Sequence, residues 1–151
     1  KEKTKIVLLS EEILSRYFGD KTAEGAVVLK ASPEEVVSMI DPHAYTSVLC
    51  NLVENALKYS GRNAPIEVSL LKEKNKALLV VSDQGKGISE EEKKKIFERF
   101  YRSGNEDTRS SRGTGLGLYI VKNLVERQNG SVVVKDNRPQ GTRFEVRFDV
   151  V

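Results

Sequence analysis

Apolar and polar positions change period along the chain, and the changes outline its elements. Ile6 to Leu9 is a run of four apolar residues and predicts a short strand. Ser10 then offers a helix cap, with Glu11 and Glu12 in the first turn, for a helix through about Phe18. Val27 to Lys30 and Val36 to Met39 predict two more strands. Asp41-Pro42 is a helix start, Asp as cap and Pro at the first helical position. That helix runs to about Tyr59, with Val48, Leu49, Leu52, Val53, Ala56 and Leu57 as a broad apolar face. Gly61 to Pro65 predicts a turn. Ile66 to Leu71 and Ala77 to Ser82 read as strands joined around Lys74-Asn75, a hairpin. Ser89 and Glu92 form a capping box for a helix through about Phe100. Ser103 to Ser111 has no apolar residue and predicts a mobile loop. Leu118 to Gln128 predicts a helix closed by Gly130, and Val132 to Val134 a strand. The last strand alternates: Phe144, Val146, Phe148 and Val150 on one face, Arg143, Glu145, Arg147 and Asp149 on the other.

These elements sum to one α/β layer pair, with helices on one face of a sheet built largely from hairpins. No repeat or linker divides the 151 residues, so a single domain is expected. Composition narrows the function. Hydrophobic residues make up 38% and charged residues 31%, as in a globular protein with a well-solvated surface. The net charge of +3 and the absence of a long basic stripe with interleaved aromatics give no support to nucleic-acid binding. The single cysteine, Cys50, excludes an internal disulfide and reads as a small buried hydrophobe. The single histidine, His43, excludes a multi-histidine metal cluster and reads as a capping-turn residue. No apolar run approaches the ~20 residues of a membrane helix, and the charged start lacks a signal peptide's apolar stretch.

Glycine is the informative residue. Of 11, six fall in three tight motifs: Gly85 and Gly87, then Gly113, Gly115 and Gly117, then Gly141. In Asp83-Gln84-Gly85-Lys86-Gly87 a strand-end carboxylate precedes backbone that a flat ligand can approach closely, although Asp and Gly also make ordinary turns. Arg112 to Leu118 sets three alternating glycines before a helix, an anion site of free N–H groups. The spacing is neither the dinucleotide fingerprint nor a Walker loop. Asn51, Asn55 and Lys58 or Tyr59 share one polar stripe of the Asp41 helix. Asparagine oxygens can meet a hard cation and lysine can neutralise phosphate; a solvated helix face has the same pattern. Arg99, Arg102, Arg109 and Arg112 suit a lid over phosphates, or simply a solvated loop.

Taken together, these stretches closely resemble the catalytic ATP-binding domain of sensor histidine kinases, in the wider family that also holds gyrase B, Hsp90 and MutL. Asn51 to Ser60 resembles the N box, Asp83 to Gly87 the G1 box, Phe97-Glu98-Arg99-Phe100-Tyr101-Arg102 the F box and Gly113 to Leu118 the G2 box, with Gly141-Thr142 trailing. The resemblance covers nearly the whole chain. It implies the Bergerat ATP-binding fold: an α+β two-layer sandwich with a mixed, mostly antiparallel sheet and helices on one face.

The resemblance also implies roles. Asn55 would bind Mg²⁺ bridging the ATP phosphates, and Asn51 would support that metal. Hydrolytic relatives carry a glutamate base at the position of Asn51, so its absence favours a kinase over a fast ATPase. Lys58 would contact phosphate, Tyr59 flank the nucleotide and Arg102 approach the phosphates. Asp83 would accept from the adenine amino group, with Thr142 beside it and Gly85 and Gly87 giving the base and ribose room. Gly113, Thr114, Gly115, Leu116, Gly117 and Leu118 would hold the phosphate chain of ATP or ADP. The implied partner is the helical-hairpin dimerisation and phosphoacceptor domain of the same kinase, with a response regulator reached indirectly. The His-Glu-x-Arg/Lys-x-Pro acceptor pattern does not occur here, so residues 1–151 look like a catalytic module whose acceptor domain is absent from the chain. A cytoplasmic domain is expected, without membrane contact of its own, in a full-length protein that membrane anchoring would suit. Two alternatives are an anti-sigma-type serine kinase and a nucleotide-dependent interaction module without catalysis.

Overall fold

The computed structural model describes residues 1–60, 64–99, 101 and 116–151. The elements in chain order are β1 (Glu2–Lys5), α1 (Ile6–Ala23), β2 (Val27–Ala31), β3 (Val37–Ile40), α2 (Pro42–Tyr59), β4 (Ile66–Glu73), β5 (Lys76–Ser82), α3 (Glu90–Lys93), α4 (Gly117–Arg127), β6 (Ser131–Asp136) and β7 (Thr142–Asp149). Five strands form one sheet in the order β2-β4-β5-β7-β6. Among the described residues only β2 and β4 run parallel; the β4–β5, β5–β7 and β7–β6 pairs are antiparallel. β1 and β3 make a separate antiparallel ribbon, linked to the C-terminus through Val151 N–H and the Val37 carbonyl.

The centre of the molecule follows from hydrophobic periodicity. Leu49, Leu52 and Val53 of α2 and Val121 and Val125 of α4 are fully buried, packed with Val68 of β4 and Val146 of β7. Tyr45 and Phe148 meet with ring centroids 6.1 Å apart. The α4 helix is anchored to the start of α2 by Gln128, whose side-chain oxygen accepts from Asp41 N–H at 2.9 Å. Asp41 caps α2 as expected, its carboxylate accepting from the backbone N–H of the exposed His43 at 2.9 Å.

The start of α1 differs from the expectation. Ile6 to Leu9 is helical, not a strand, and Ser10 is not its cap. The cap comes from 27 and 28 residues away: the Glu35 carboxylate accepts from Val7 N–H at 2.7 Å and Leu8 N–H at 3.1 Å. An apolar run is ambiguous between strand and buried helix, and here a long-range carboxylate settles it. Ser10 is buried and bonded to the Tyr45 hydroxyl at 2.7 Å. The expected end at Phe18 coincides with a break in the helix, at φ −133 and ψ 29, beyond which helix resumes to Ala23.

Two other expectations need correction, and Glu145 adds a feature that the alternation does not mark. The Ser89 capping box forms, with Ser89 Oγ accepting from Glu92 N–H, but regular helix stops at Lys93. Successive turns follow, with bonds such as Lys95 N–H to Glu92 O and Glu98 N–H to Lys95 O. They bury Ile96 and set Phe97 edge-on to Phe144, with centroids 6.1 Å apart. The α4 helix is closed by Asn129 at φ +62, whereas Gly130 serves close packing: a Cβ there would lie 2.4 Å from the Arg147 carbonyl. Glu145 sits on the charged face of β7 but is buried beneath Lys135, Arg143 and Arg147, all within 3.2 Å. Burial pushes its carboxyl up, yet the three cations outweigh that and hold it down to about 2.

Two outcomes follow from this architecture. Glu35→Ala should cost about 1 kcal/mol by uncapping α1, lowering the melting temperature by a few degrees in calorimetry. Glu145 has a folded-state pKa below its usual 4.5, so the stability it contributes is complete above that value and is lost as pH falls toward about 2. Denaturant unfolding between these pH values should show that loss, and Glu145→Gln should flatten it.

Candidate functional site

Three segments separated in sequence meet at one end of the sheet. The middle strand β5, buried along nearly its whole length, stops at Ser82 and delivers Asp83. Asp83 is 3% exposed. Its N–H donates to the Thr142 carbonyl at 2.9 Å, and its carboxylate accepts from Gly85 N–H at 2.8 Å. Burial pushes the Asp83 carboxyl above the ordinary carboxylate value, against the pull of the backbone N–H groups of Gly85 and Thr142. Among the described residues the carboxylate is held only by backbone, and such a carboxylate keeps acceptor capacity for one more donor.

Glycine is required where these segments touch. A Cβ on Gly85 would lie 2.0 Å from the Tyr59 carbonyl at the end of α2, and 3.1 Å from Asp83 Oδ1. Gly141 adopts φ +105, and a Cβ there would fall 2.0 Å from the Asp83 carbonyl oxygen. Gly87, at φ +81, faces the Gly141 carbonyl. Thus the end of α2, the loop after β5 and the start of β7 are pressed together, and Thr142 is buried next to Asp83.

The polar stripe of α2 borders this junction. Asn51 and Asn55 are half-buried, Lys58 is exposed and lies 5.2 Å from the centroid of the Tyr59 ring, and Tyr59 is half-buried. Asn51 donates through Nδ2 to the Ser47 carbonyl at 2.8 Å. Its Oδ1 faces the start of α4, 3.2 Å from where a Cβ of Gly117 would stand. Leu116, at the N-cap of α4, supplies no side-chain capping bond, and Leu116, Gly117 and Leu118 are all half-buried. A helix N-terminus with no side-chain cap among the described residues and the Asn51 oxygen beside it favours an anion accompanied by a hard cation. Among the described residues no group of three or more His, Cys, Asp or Glu side chains could hold a metal ion.

The structure joins Tyr59, Asp83, Gly85, Gly87 and Thr142 at one junction, and sets Asn51 beside Gly117 about two turns back along α2. Asn55 and Lys58 lie on the same stripe of α2. Arg102, Gly113, Thr114 and Gly115, with the expected loop from Ser103 to Ser111, lie outside the described residues. Of the four arginines expected in a lid only Arg99 is described; its guanidinium lies 5.7 Å from the centroid of the Tyr119 ring. Cys50 is half-buried with its thiol pushed up to about 11 by burial and by Glu54, consistent with a hydrophobe. Sequence reasoning missed two supports of the Asp83 loop: Asn137 Nδ2 donates to the Asp83 carbonyl at 2.8 Å, and Gln140 Nε2 to the Gln84 carbonyl at 2.9 Å. A polar turn between two strands carries no signal for such a role.

This chain belongs to the histidine kinase-, DNA gyrase B- and HSP90-like ATPase family, whose model matches residues 40–151. It is 46% identical over 99 residues to the sensor protein CiaH of Streptococcus pneumoniae, covering 66% of this chain and 22% of CiaH. It is 34% identical over 138 residues to the sensor histidine kinase TmoS of Ectopseudomonas mendocina, covering 90% of this chain and 14% of TmoS. The chain thus spans under a quarter of these curated relatives. Among solved structures, the mycobacterial sensor histidine kinase MprB superposes with a TM-score of 0.80 at 27% identity, covering 99% of this chain and 97% of that one. The nucleotide-free catalytic domain of histidine kinase ThkA gives 0.83 at 26%, covering 99% and 96%. The α+β sandwich is that of histidine kinase catalytic domains. Among the described residues no helix is long and apolar enough to cross a membrane.

The contact at Gly85 is the simplest to test. Gly85→Ala drives a methyl into the Tyr59 carbonyl, so the Asp83 loop has to move off α2. The melting temperature should fall by roughly 5–10 °C in differential scanning calorimetry. An unchanged value would mean the two segments are not in contact.

Proposed function

We propose that this chain binds Mg·ATP and presents the γ-phosphate to a histidine on the helical-hairpin phosphoacceptor domain of a two-component sensor kinase. The observation that carries the reading is the buried Asp83 carboxylate, held by backbone at the end of α2, with Asn51 farther back on the same helix facing the start of α4. Family membership and the catalytic-domain neighbours support it. Asp83 accepts from the adenine amino group, Gly85 and Gly87 let the base lie close to backbone, and Thr142 packs beneath it. Tyr59 flanks the nucleotide. The phosphates run toward Leu116, Gly117 and Leu118 at the start of α4, with Gly113, Thr114 and Gly115 preceding them.

Asn55 and Asn51 fit a magnesium ion chemically. Their amide oxygens are hard, neutral donors, suited to a cation that keeps most of its ligands from phosphate and water. When bound, that ion neutralises charge on the phosphate chain. Lys58 and Arg102 add positive charge there, and the chain's contribution is positioning and charge. An imidazole nitrogen of the partner forms the N–P bond as the bond from the γ-phosphorus to the β,γ-bridging oxygen breaks, leaving ADP. Asn51 cannot take a proton from water near neutral pH, so hydrolysis has no base at that position.

Calorimetry with ATP, with and without EDTA, tests the metal assignment: affinity should fall when the metal is removed, and equal affinity takes Asn55 out of that role. Asp83→Asn should weaken ATP by about 1–3 kcal/mol without loss of fold, because an amide can present a donor to the adenine amino group. The chain alone with radiolabelled ATP should acquire no label, and added phosphoacceptor domain should acquire acid-labile, base-stable label. Acid-stable label on serine would support the anti-sigma-type alternative, and label on His43 would overturn the division of labour.

A further inference from the structure

The turn between β6 and β7, residues 137–141, holds the loop that carries Asp83. Among the described residues Asp83 is fixed at three points. Its N–H is bonded to Thr142 across the β5–β7 pair, and its carboxylate to Gly85 within its own loop. Both involve backbone partners that almost any sequence supplies. The third point is different: the Asp83 carbonyl accepts from Asn137 Nδ2 at 2.8 Å, which requires a side-chain donor at that one position. Asn137 is itself locked, its N–H donating to the Gly141 carbonyl at 3.0 Å. Its neighbour Asp136 pairs with Lys93 at 2.8 Å, which ties the turn to α3.

The Asp83 carbonyl belongs to the peptide unit shared with Gln84. A shift of the chain at that unit displaces Gly85 with it, and the Gly85 N–H is what aims the carboxylate. Gly141 leaves just enough space for the carbonyl, because any Cβ there would strike it. Removing the Asn137 donor leaves a part-buried carbonyl without a partner among the described residues, and the way to satisfy it is to shift the loop toward water.

We propose that Asn137 is a specificity-determining positioning residue: by holding the Asp83 carbonyl it fixes the direction in which the Asp83 carboxylate meets the 6-amino group of a bound purine. The inference rests on the adenine reading of Asp83. Asn137 touches neither the base nor the phosphates in this assignment; it acts through the Asp83–Gln84 peptide. The Gln140 bond to Gln84 is exposed and supports the same loop without touching Asp83.

The test is calorimetry on the full chain with Mg²⁺ and two probes: ATP, and purine-riboside triphosphate, which lacks the 6-amino group. The parent should prefer ATP. In Asn137→Ala the ATP dissociation constant should rise about tenfold, the order expected for one lost hydrogen bond. Affinity for the analogue should stay unchanged, so the preference collapses. Gln140→Ala should keep the parent's preference. Asn137→Asp keeps the side chain's shape but replaces the donor with an acceptor; it carries the same expectation where Asn137→Ala does not fold. A merely structural effect would weaken both nucleotides alike, and that result overturns the proposal. So does an Asn137→Ala protein with the parent's preference, or a Gln140→Ala protein without it. A parent that fails to distinguish the two nucleotides removes the adenine reading of Asp83 and this proposal with it. With a parent that does distinguish them, the variants report on Asn137 alone.

Discussion

A carboxylate taken out of water must be satisfied by hydrogen bonds, or it takes up a proton instead. Asp83 meets that requirement almost entirely with backbone, and the surrounding structure is arranged so that the backbone can reach it. The loop after β5 has to touch the end of α2, which is possible only with glycine at 85. The start of β7 has to cross directly over the Asp83 carbonyl, which is possible only with glycine at 141 in a left-handed conformation. Three elements far apart in sequence therefore converge at one carboxylate. The sheet order puts β5 and β7 side by side so that they can.

A second contact of α2, with the start of α4, sets where an anion can sit. Asn51 spends its amide nitrogen on Ser47, one turn back, and keeps its oxygen toward the start of α4. Polar oxygen on α2 and the N-terminus of α4 thus face each other, while the apolar faces of both helices pack on the sheet. On the proposed reading, the nucleotide lies between a base-reading carboxylate at the end of β5 and a phosphate-reading helix start. The protein there supplies charge and geometry and leaves the attacking nucleophile to a partner.

What could be read directly from the chain was whatever its physics keeps local. The cap and apolar face of α2, the hairpin of β4 and β5, and the alternation of β7 each depend on neighbours a few residues apart, and each forms. Asn51, Asn55 and Asp83 stood out because polar residues in a helix interior, or before two glycines, ask for a reason. The departures came from long-range partners. Glu35 starts α1 at a position no local pattern marks, three basic residues draw Glu145 out of solvent, and packing of Ile96 and Phe97 cuts α3 short. Asn137 and Gln140 were invisible for the same reason, since their partners lie 54 and 56 residues away.

A crystal structure of the chain with Mg²⁺ and a non-hydrolysable ATP analogue tests the central claim most directly. The adenine amino nitrogen should lie within hydrogen-bonding distance of the Asp83 carboxylate, with the Asn55 side-chain oxygen on the metal. A base bound away from Asp83, or a metal held without Asn55, would contradict it.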